Sequence, residues 1–223
     1  MRGLYAIIDI ESLEKRALDP LAFAEAVLAA RPAAVQLRDK AGGARRTLDL
    51  LRAIAPLAAR AEVPLFANDR PDLALLAGAD GVHVGQEDLP VPLVRSIAAG
   101  RALRVGLSTH DADQVDRAIA DAPDYIAVGP IFPTSSKDRP SPVVGLDALA
   151  ILAARVRSAR PGTPVVAIGG ITLETAARVG ALADAVAVIH ALLPESDRGS
   201  SYTEVTARSI ALHQAICGAE RAK

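Results

Sequence analysis

Two acids, Asp69 and Asp88, stand just past the ends of two apolar runs. The run Val63 to Ala67 stops at Asn68-Asp69, and the run Gly81 to Val84 stops at Gly85-Gln86-Glu87-Asp88. Between them Pro71 to Leu76 reads as a short helix closed by Gly78. Consecutive parallel strands are usually neighbours, roughly 4.8 Å apart. Both carboxylates would then share one rim, where they need a cation, a shared proton or solvent. Mg²⁺ is a natural guest, because it is commonly held by one or two carboxylates plus substrate phosphate oxygens. The plain alternative is a pair of solvated loop acids.

Other strand ends carry groups suited to anions. In Gln36-Leu37-Arg38-Asp39-Lys40, alternation puts Gln36, Arg38 and Lys40 on one face and Val35 and Leu37 on the other, toward the helices. An Arg fork with a Lys point charge can hold a polyanion. Only four of the 25 lysines and arginines are Lys, and two of those, Lys40 and Lys137, lie just past strand ends. Thr134-Ser135-Ser136-Lys137 adds three hydroxyls and that lysine on a Pro-rich loop from Gly129 to Val144, long enough to close over a substrate. Gly169-Gly170-Ile171-Thr172 opens a helix, where backbone N–H groups can meet a phosphate, and Ile189-His190 would complete that cup. Ser108-Thr109-His110-Asp111 resembles a hydrolase triad only on paper, since triads depend on geometry rather than adjacency. Ser108 is the better ligand contact. Asp111 with Gln114 forms a capping box, and His83 reads as a hydrogen-bonded core histidine inside its strand.

The elements that must position these groups alternate regularly. Strands are expected at Leu4–Asp9, Ala33–Arg38, Val63–Ala67, Gly81–Val84, Leu103–Leu107, Tyr125–Val128, Pro164–Ile168 and Ala185–Ile189. Helical stretches separate them, beginning with Asp19-Pro20, an N-cap followed by Pro. A final helix covers about Tyr202 to Cys217. A short pattern recurs at helix exits: Ala79-Asp80-Gly81, Pro123-Asp124-Tyr125 and Ala183-Asp184-Ala185, with Pro32-Ala33-Ala34 a looser version. Eight such alternations point to an α/β protein with a parallel sheet closed into a (β/α)₈ TIM barrel. An open doubly wound sheet is the runner-up, but no G-x-G-x-x-G follows the first strand.

At 223 residues the chain fits one such domain, residues 1–223. A net charge of −1 argues against a nucleic-acid binder that works by charge. No apolar run reaches membrane-spanning length and no signal pattern opens the chain, so a cytoplasmic location is expected. Cys217 is the single cysteine, which excludes an internal disulfide. From the residues alone, the rim offers a metal-assisted site for a diphosphate and a metal-free cup for a monophosphate. That suggests joining two phosphorylated small molecules, without naming either.

The ordered set of segments resembles the thiamine phosphate synthase family: QLRDK at 36–40, ND at 68–69, HVGQEDLP at 83–90, GLSTH at 106–110, GPIFPTSSK at 129–137 and AIGGI at 167–171. The resemblance implies a transferase of thiamine biosynthesis. It would join hydroxymethylpyrimidine diphosphate to a thiazole phosphate, or to its carboxylated form with loss of CO₂, giving thiamine phosphate and pyrophosphate. It implies that Gln36, Leu37, Arg38, Asp39, Lys40, Asn68, Ser108 and Lys137 contact the pyrimidine diphosphate, with Arg38, Lys40, Ser108 and Lys137 serving the chemistry. It further implies that Asp69 and Asp88 hold Mg²⁺. Thr134, Ser135, Ser136, Gly170, Ile189 and His190 would contact the thiazole phosphate. The family's mechanism is dissociative: pyrophosphate leaves first, and the thiazole nitrogen captures the pyrimidine-methyl cation.

The sequence departs from the family where Ser136 replaces the usual second Thr and where His190 stands in place of a frequent Ser. Extra prolines between Ser136 and Val144 distinguish the loop. A related thiazole tautomerase is the nearest rival and His110 keeps it open, although it lacks much of the diphosphate and metal set. A phosphate-sugar isomerase would use the cup but not the paired acids. A non-catalytic regulator of the same pathway is a further alternative. The expected partners are small molecules, with no nucleic acid or membrane, and a homo-oligomer stays open.

Overall fold

A computed structural model describes residues 1–134, 142–195 and 202–219. The strands are β1 Gly3–Asp9, β2 Ala34–Arg38, β3 Leu65–Asn68, β4 Gly81–Val84, β5 Arg104–Thr109, β6 Tyr125–Val128, β7 Val165–Ile168 and β8 Ala185–Val188. The helices are α1 Ile10–Glu14, α2 Pro20–Leu28, α3 Ala44–Ala61, α4 Pro71–Ala77, α5 Val91–Ala98, α6 Ala112–Asp121, α7 Gly145–Ala159, α8 Leu173–Gly180 and α9 Tyr202–Cys217. All eight strands are parallel and β8 pairs with β1, so the sheet closes into the expected (β/α)₈ barrel. Most boundaries fall within two residues of those read from the sequence. The departures are α1, which follows β1 directly, and a 3₁₀ turn at His190–Leu192. Among the described residues no helix is long and apolar enough to cross a membrane.

Alternation along the strands builds two cores. On β1, Leu4, Ala6 and Ile8 pack outward against the helices, whereas Tyr5 and Ile7 point into the barrel. The interior holds three of the chain's six Phe and Tyr residues: Tyr5, Phe66 and Tyr125. Their ring centroids lie 5.6–5.8 Å apart in tilted or edge-on contacts, the geometry that ring quadrupoles favour. Neighbouring strands make room with glycine. A Cβ on Gly81 would come within 2.3 Å of the Phe66 ring, and one on Gly106 within 2.0 Å of Tyr125. Large and small residues thus alternate between neighbouring strands, so the three rings fit side by side inside the barrel.

The recurring helix-exit pattern has a structural cause. Asp80 Oδ2 accepts from Leu65 N at 2.8 Å, Asp124 Oδ2 from Val105 N at 2.6 Å, and Asp184 Oδ2 from Val165 N at 2.9 Å. In each case the aspartate's own N–H donates to the carbonyl of the same residue. Each Asp therefore satisfies the free N–H at the start of the preceding strand and sets its register at the bottom of the barrel. The looser Ala33 version keeps only the backbone bond, Ala33 N to Leu4 O at 2.7 Å.

Helix ends follow local chemistry. Asp19 caps α2 by accepting from Leu21 N and Ala22 N. Asp111 caps α6 by accepting from Gln114 N, but Gln114 Oε1 takes the His110 N–H rather than that of Asp111. The capping box expected there is thus only half formed.

Candidate active site

The C-terminal strand ends surround one cavity of about 1050 Å³. Of the residues singled out from the sequence, Gln36, Arg38, Lys40, Asn68, Asp69, Asp88, Ser108, Thr134, Gly170, Ile189 and His190 all line it. Ser135, Ser136 and Lys137 lie outside the described residues.

Leu37 and Asp39 are placed elsewhere. Leu37 is buried between barrel and helices, as alternation requires. The Asp39 side chain turns under α3, where its Oδ2 accepts from Thr47 Oγ1 at 3.0 Å and lies 3.6 Å from Arg46 Nε. Neither side chain reaches the cavity, so any ligand contact at these two positions falls to the backbone.

The basic groups are held by acids. Arg38 Nη1 donates to Asp9 Oδ1, and the two side chains are 12% and 6% exposed. Asp9 ends β1 and also caps α1, accepting from Ser12 N and Ser12 Oγ. Asp9 follows Tyr5 and Ile7 on the inward face of β1, and no motif in the sequence marks it. Lys40 Nζ reaches Asp69 Oδ2 at 2.8 Å, half exposed at the mouth.

Asp69 adopts a left-handed backbone at φ 61°, a conformation Asp tolerates better than most residues. Its N–H donates to His83 O at 2.8 Å, which ties the end of β3 to β4. Asp88 Oδ2 accepts from Gly85 N at 2.7 Å. Burial raises the Asp88 carboxyl above the usual Asp range; the Gly85 N–H opposes this, and the Asp69 carboxylate adds to it. Asp69 thus disfavours the charged form of Asp88, Lys40 favours it, and a cation shared by the two acids would favour it further. Among the described residues no third Asp, Glu, His or Cys joins them. Two carboxylates, with remaining positions left to water and substrate oxygens, is a donor set that fits Mg²⁺.

The floor of the cavity is polar where the barrel interior meets the mouth. Gln36, Asn68, His83 and Ser108 are linked there through Tyr5 and Tyr125. His83 is hydrogen-bonded as expected, to Tyr125 of β6 and Ser108 of β5, but it is only partly buried and lines the cavity rather than the core, and its ring stacks on Tyr125 at 5.5 Å and 13°. Nothing local in the sequence sets the two tyrosines apart from other buried aromatics, because their rings belong to the barrel core. No relay forms at the strand-five end: Ser108 bonds His83, His110 Nδ1 bonds Gly129 O, and Asp111 caps α6.

Across the mouth, Gly169 and Gly170 have φ 103° and 64°. A Cβ on Gly170 would lie 2.4 Å from the Pro133 carbonyl oxygen. Glycine thus lets the β7 loop pack under the β6 loop just before α8. His190 opens the 3₁₀ turn beside it.

Comparison with known proteins bears on this site. A family model described as thiamine monophosphate synthase matches residues 4–192. The chain is 42% identical over 212 residues to a thiamine-phosphate synthase of Koribacter versatilis, covering 91% of this chain and 94% of that one. It is 43% identical over 196 residues to a thiamine-phosphate synthase of Anaeromyxobacter dehalogenans, covering 87% and 82%. Among solved structures, a thiamine phosphate pyrophosphorylase from Pyrococcus furiosus superposes with a TM-score of 0.80 at 27% identity, covering 97% and 96%. A tryptophan synthase alpha chain from Legionella pneumophila, at TM-score 0.67 and 16% identity over 97% and 92%, shares the fold alone.

Proposed function

The chain belongs to the thiamine monophosphate synthase family and is a transferase of thiamine biosynthesis, and from that premise we propose how its barrel mouth works. It joins hydroxymethylpyrimidine diphosphate to a thiazole phosphate, or to its carboxylated form with loss of CO₂, and releases pyrophosphate. One observation supports this reading most: a cationic pair and a carboxylate pair meet at the ends of β2, β3 and β4, across one cavity from a glycine cup.

In this reading Arg38 and Lys40 bind the diphosphate, Arg38 as a fork held in place by Asp9. Asp69 and Asp88 would hold Mg²⁺, which when bound would neutralise charge growing on the leaving pyrophosphate. Gln36, Asn68 and Ser108 orient the pyrimidine. Thr134, the Gly170 backbone and the Ile189-His190 turn receive the thiazole phosphate. The bond from the pyrimidine methylene to the bridging oxygen breaks first, and its electron pair leaves with pyrophosphate. The methylene cation is captured by the thiazole nitrogen, so no nucleophilic side chain is needed. Electrostatic stabilisation of the leaving group then carries the rate. A cytoplasmic location and purely small-molecule partners belong to the same proposal.

The test is pyrophosphate release from purified protein given both substrates and Mg²⁺. Release should need both substrates and stop with EDTA. Release that survives EDTA would remove the metal from the reading. No release, with turnover of a thiazole carboxylate phosphate toward its aromatic form instead, would favour the tautomerase reading.

A further inference from the structure

A chain of polar groups crosses the cavity floor from Asn68 to Ser108. Gln36 Nε2 donates to Asn68 Oδ1 at 2.7 Å, and Tyr5 OH donates to Gln36 Oε1 at 2.8 Å. Tyr5 OH meets Tyr125 OH, Tyr125 OH meets His83 Nδ1, and His83 Nε2 meets Ser108 Oγ, each at 2.8 Å. The register builds this chain. Gln36 lies opposite Ile7 and Phe66, Asn68 opposite His83, and Gly106 opposite both His83 and Tyr125. Gly106 leaves the space that the Tyr125 hydroxyl end occupies.

With the Gln36 and Asn68 amides oriented this way, counting protons gives the rest of the chain a direction. Each phenol has a single proton to donate, and burial keeps both Tyr5 and Tyr125 from ionising. The Tyr5 proton goes to Gln36, so Tyr5 must accept from Tyr125. Tyr125 has then spent its proton and must accept from His83 Nδ1–H. In the neutral imidazole this leaves His83 Nε2 bare, and it must accept from Ser108 Oγ–H. The hydrogen bond at one ring nitrogen thus decides the state of the other.

We propose that this chain fixes His83 as the Nδ1–H tautomer and thereby makes Ser108 a hydrogen-bond acceptor, and Asn68 a donor, toward the ligand in the cavity. Tyr5 and Tyr125 are positioning residues that act through His83 and Gln36. Reversing the two amides would reverse every link, turning Ser108 into a donor and Asn68 into an acceptor. As long as all links hold, the two ends present opposite characters. Negative charge from Asp69 and Asp88 at the neighbouring strand ends favours the setting with the Asn68 N–H₂ turned outward.

The fragment this selects has an acceptor for Asn68 and a donor for Ser108. A ring nitrogen beside an exocyclic amine has that pattern, as in a 4-aminopyrimidine. A 4-oxopyrimidine, with a ring N–H beside a carbonyl, has the reverse. This use of the chain rests on the proposed synthase reading, whereas the tautomer does not.

The first experiment is ¹⁵N NMR of the four histidines in ligand-free protein, with His83 assigned by the signals lost in His83→Gln. A protonated Nδ1 and a bare Nε2 are expected, and a protonated Nε2 would overturn the proposal. The second compares kcat/KM for 4-amino and 4-oxo pyrimidine diphosphates in the wild type and in Tyr125→Phe. Breaking the middle link should reduce the preference for the amine about tenfold, roughly what one buried hydrogen bond supplies, and leave KM for the thiazole phosphate unchanged. An unchanged preference would overturn the proposal. If Tyr125→Phe fails to fold, Tyr5→Phe breaks the adjacent link and is read the same way. Pyrophosphate release with a protonated Nε2 would refute the chain alone. A bare Nε2 without release would refute the synthase reading alone.

Discussion

Asp9→Asn should destabilise the protein far more than its small change in shape suggests. Asp9 and Arg38 form an ion pair with only 6% and 12% of their side-chain surface exposed. Asparagine preserves the shape and one oxygen to cap α1 through Ser12, so the main loss is the charge facing Arg38. Breaking a buried pair by removing one partner costs about 3–5 kcal/mol, because the remaining charge is uncompensated. Arg38 also borders the cavity, where water can reach part of the guanidinium, so about 3 kcal/mol is the expected loss. For a chain of this size that lowers Tm by about 6–12 °C. Asp9→Ala also removes the cap and should cost about 1 kcal/mol more. Arg38→Met relieves the stranded charge, so the double variant Asp9→Asn/Arg38→Met should recover at least about 2 kcal/mol relative to additivity. Urea unfolding of the wild type and the four variants at neutral pH measures each term. A loss below about 1 kcal/mol for Asp9→Asn, or additivity within about 0.5 kcal/mol, would refute the account of Arg38 as a cation held by Asp9.

Two further outcomes test the rim. Asp88 has its carboxyl raised by burial and by Asp69, so the folded state holds that proton more tightly than the unfolded chain. Its ionised form therefore lowers stability as pH rises through the folded pKa, and Asp88→Asn should raise Tm at neutral pH without metal, with the gain vanishing below the ordinary Asp range near about pH 4. Added Mg²⁺ should raise the wild-type Tm and leave the variant unmoved in scanning fluorimetry; equal shifts in both would remove Asp88 from the metal site. Gly170→Ala forces a side chain into a left-handed position at φ 64° and against the Pro133 carbonyl, at about 1–2 kcal/mol for the backbone alone. It should raise KM for thiazole phosphate about tenfold while KM for the pyrimidine diphosphate stays within about twofold; an unaffected thiazole KM would move the phosphate cup elsewhere.

What the sequence revealed and what it concealed have separate physical causes. Strand alternation has a period of two, so Gln36, Arg38 and Lys40 were legible as one face, and Leu37 as belonging to the other. The same alternation should have told against a side-chain role for Leu37 and Asp39, and the structure turns both away from the cavity. Neighbouring strands carry consecutive acids to one rim, so the Asp69–Asp88 pairing could be read without knowing how the barrel closes. Closure itself is a property of all eight strands. It brings β1 against β8 and places Tyr5 near Tyr125, 120 positions away. No local pattern encodes that meeting. Tyr5 and Tyr125 look like core aromatics because their rings are core; only their hydroxyls, brought together by closure, belong to the site. Asp9 was hidden for a related reason, since its partner Arg38 lies on another strand and the helix it caps follows β1 without a break. The carboxylates and cations at the rim could be listed strand by strand, whereas the hydrogen-bonded floor exists only once strands from both sides of the barrel have met. For a barrel of this kind, sequence alone should reveal which charges reach the ligand more readily than which neutral groups set the ligand's hydrogen-bonding pattern.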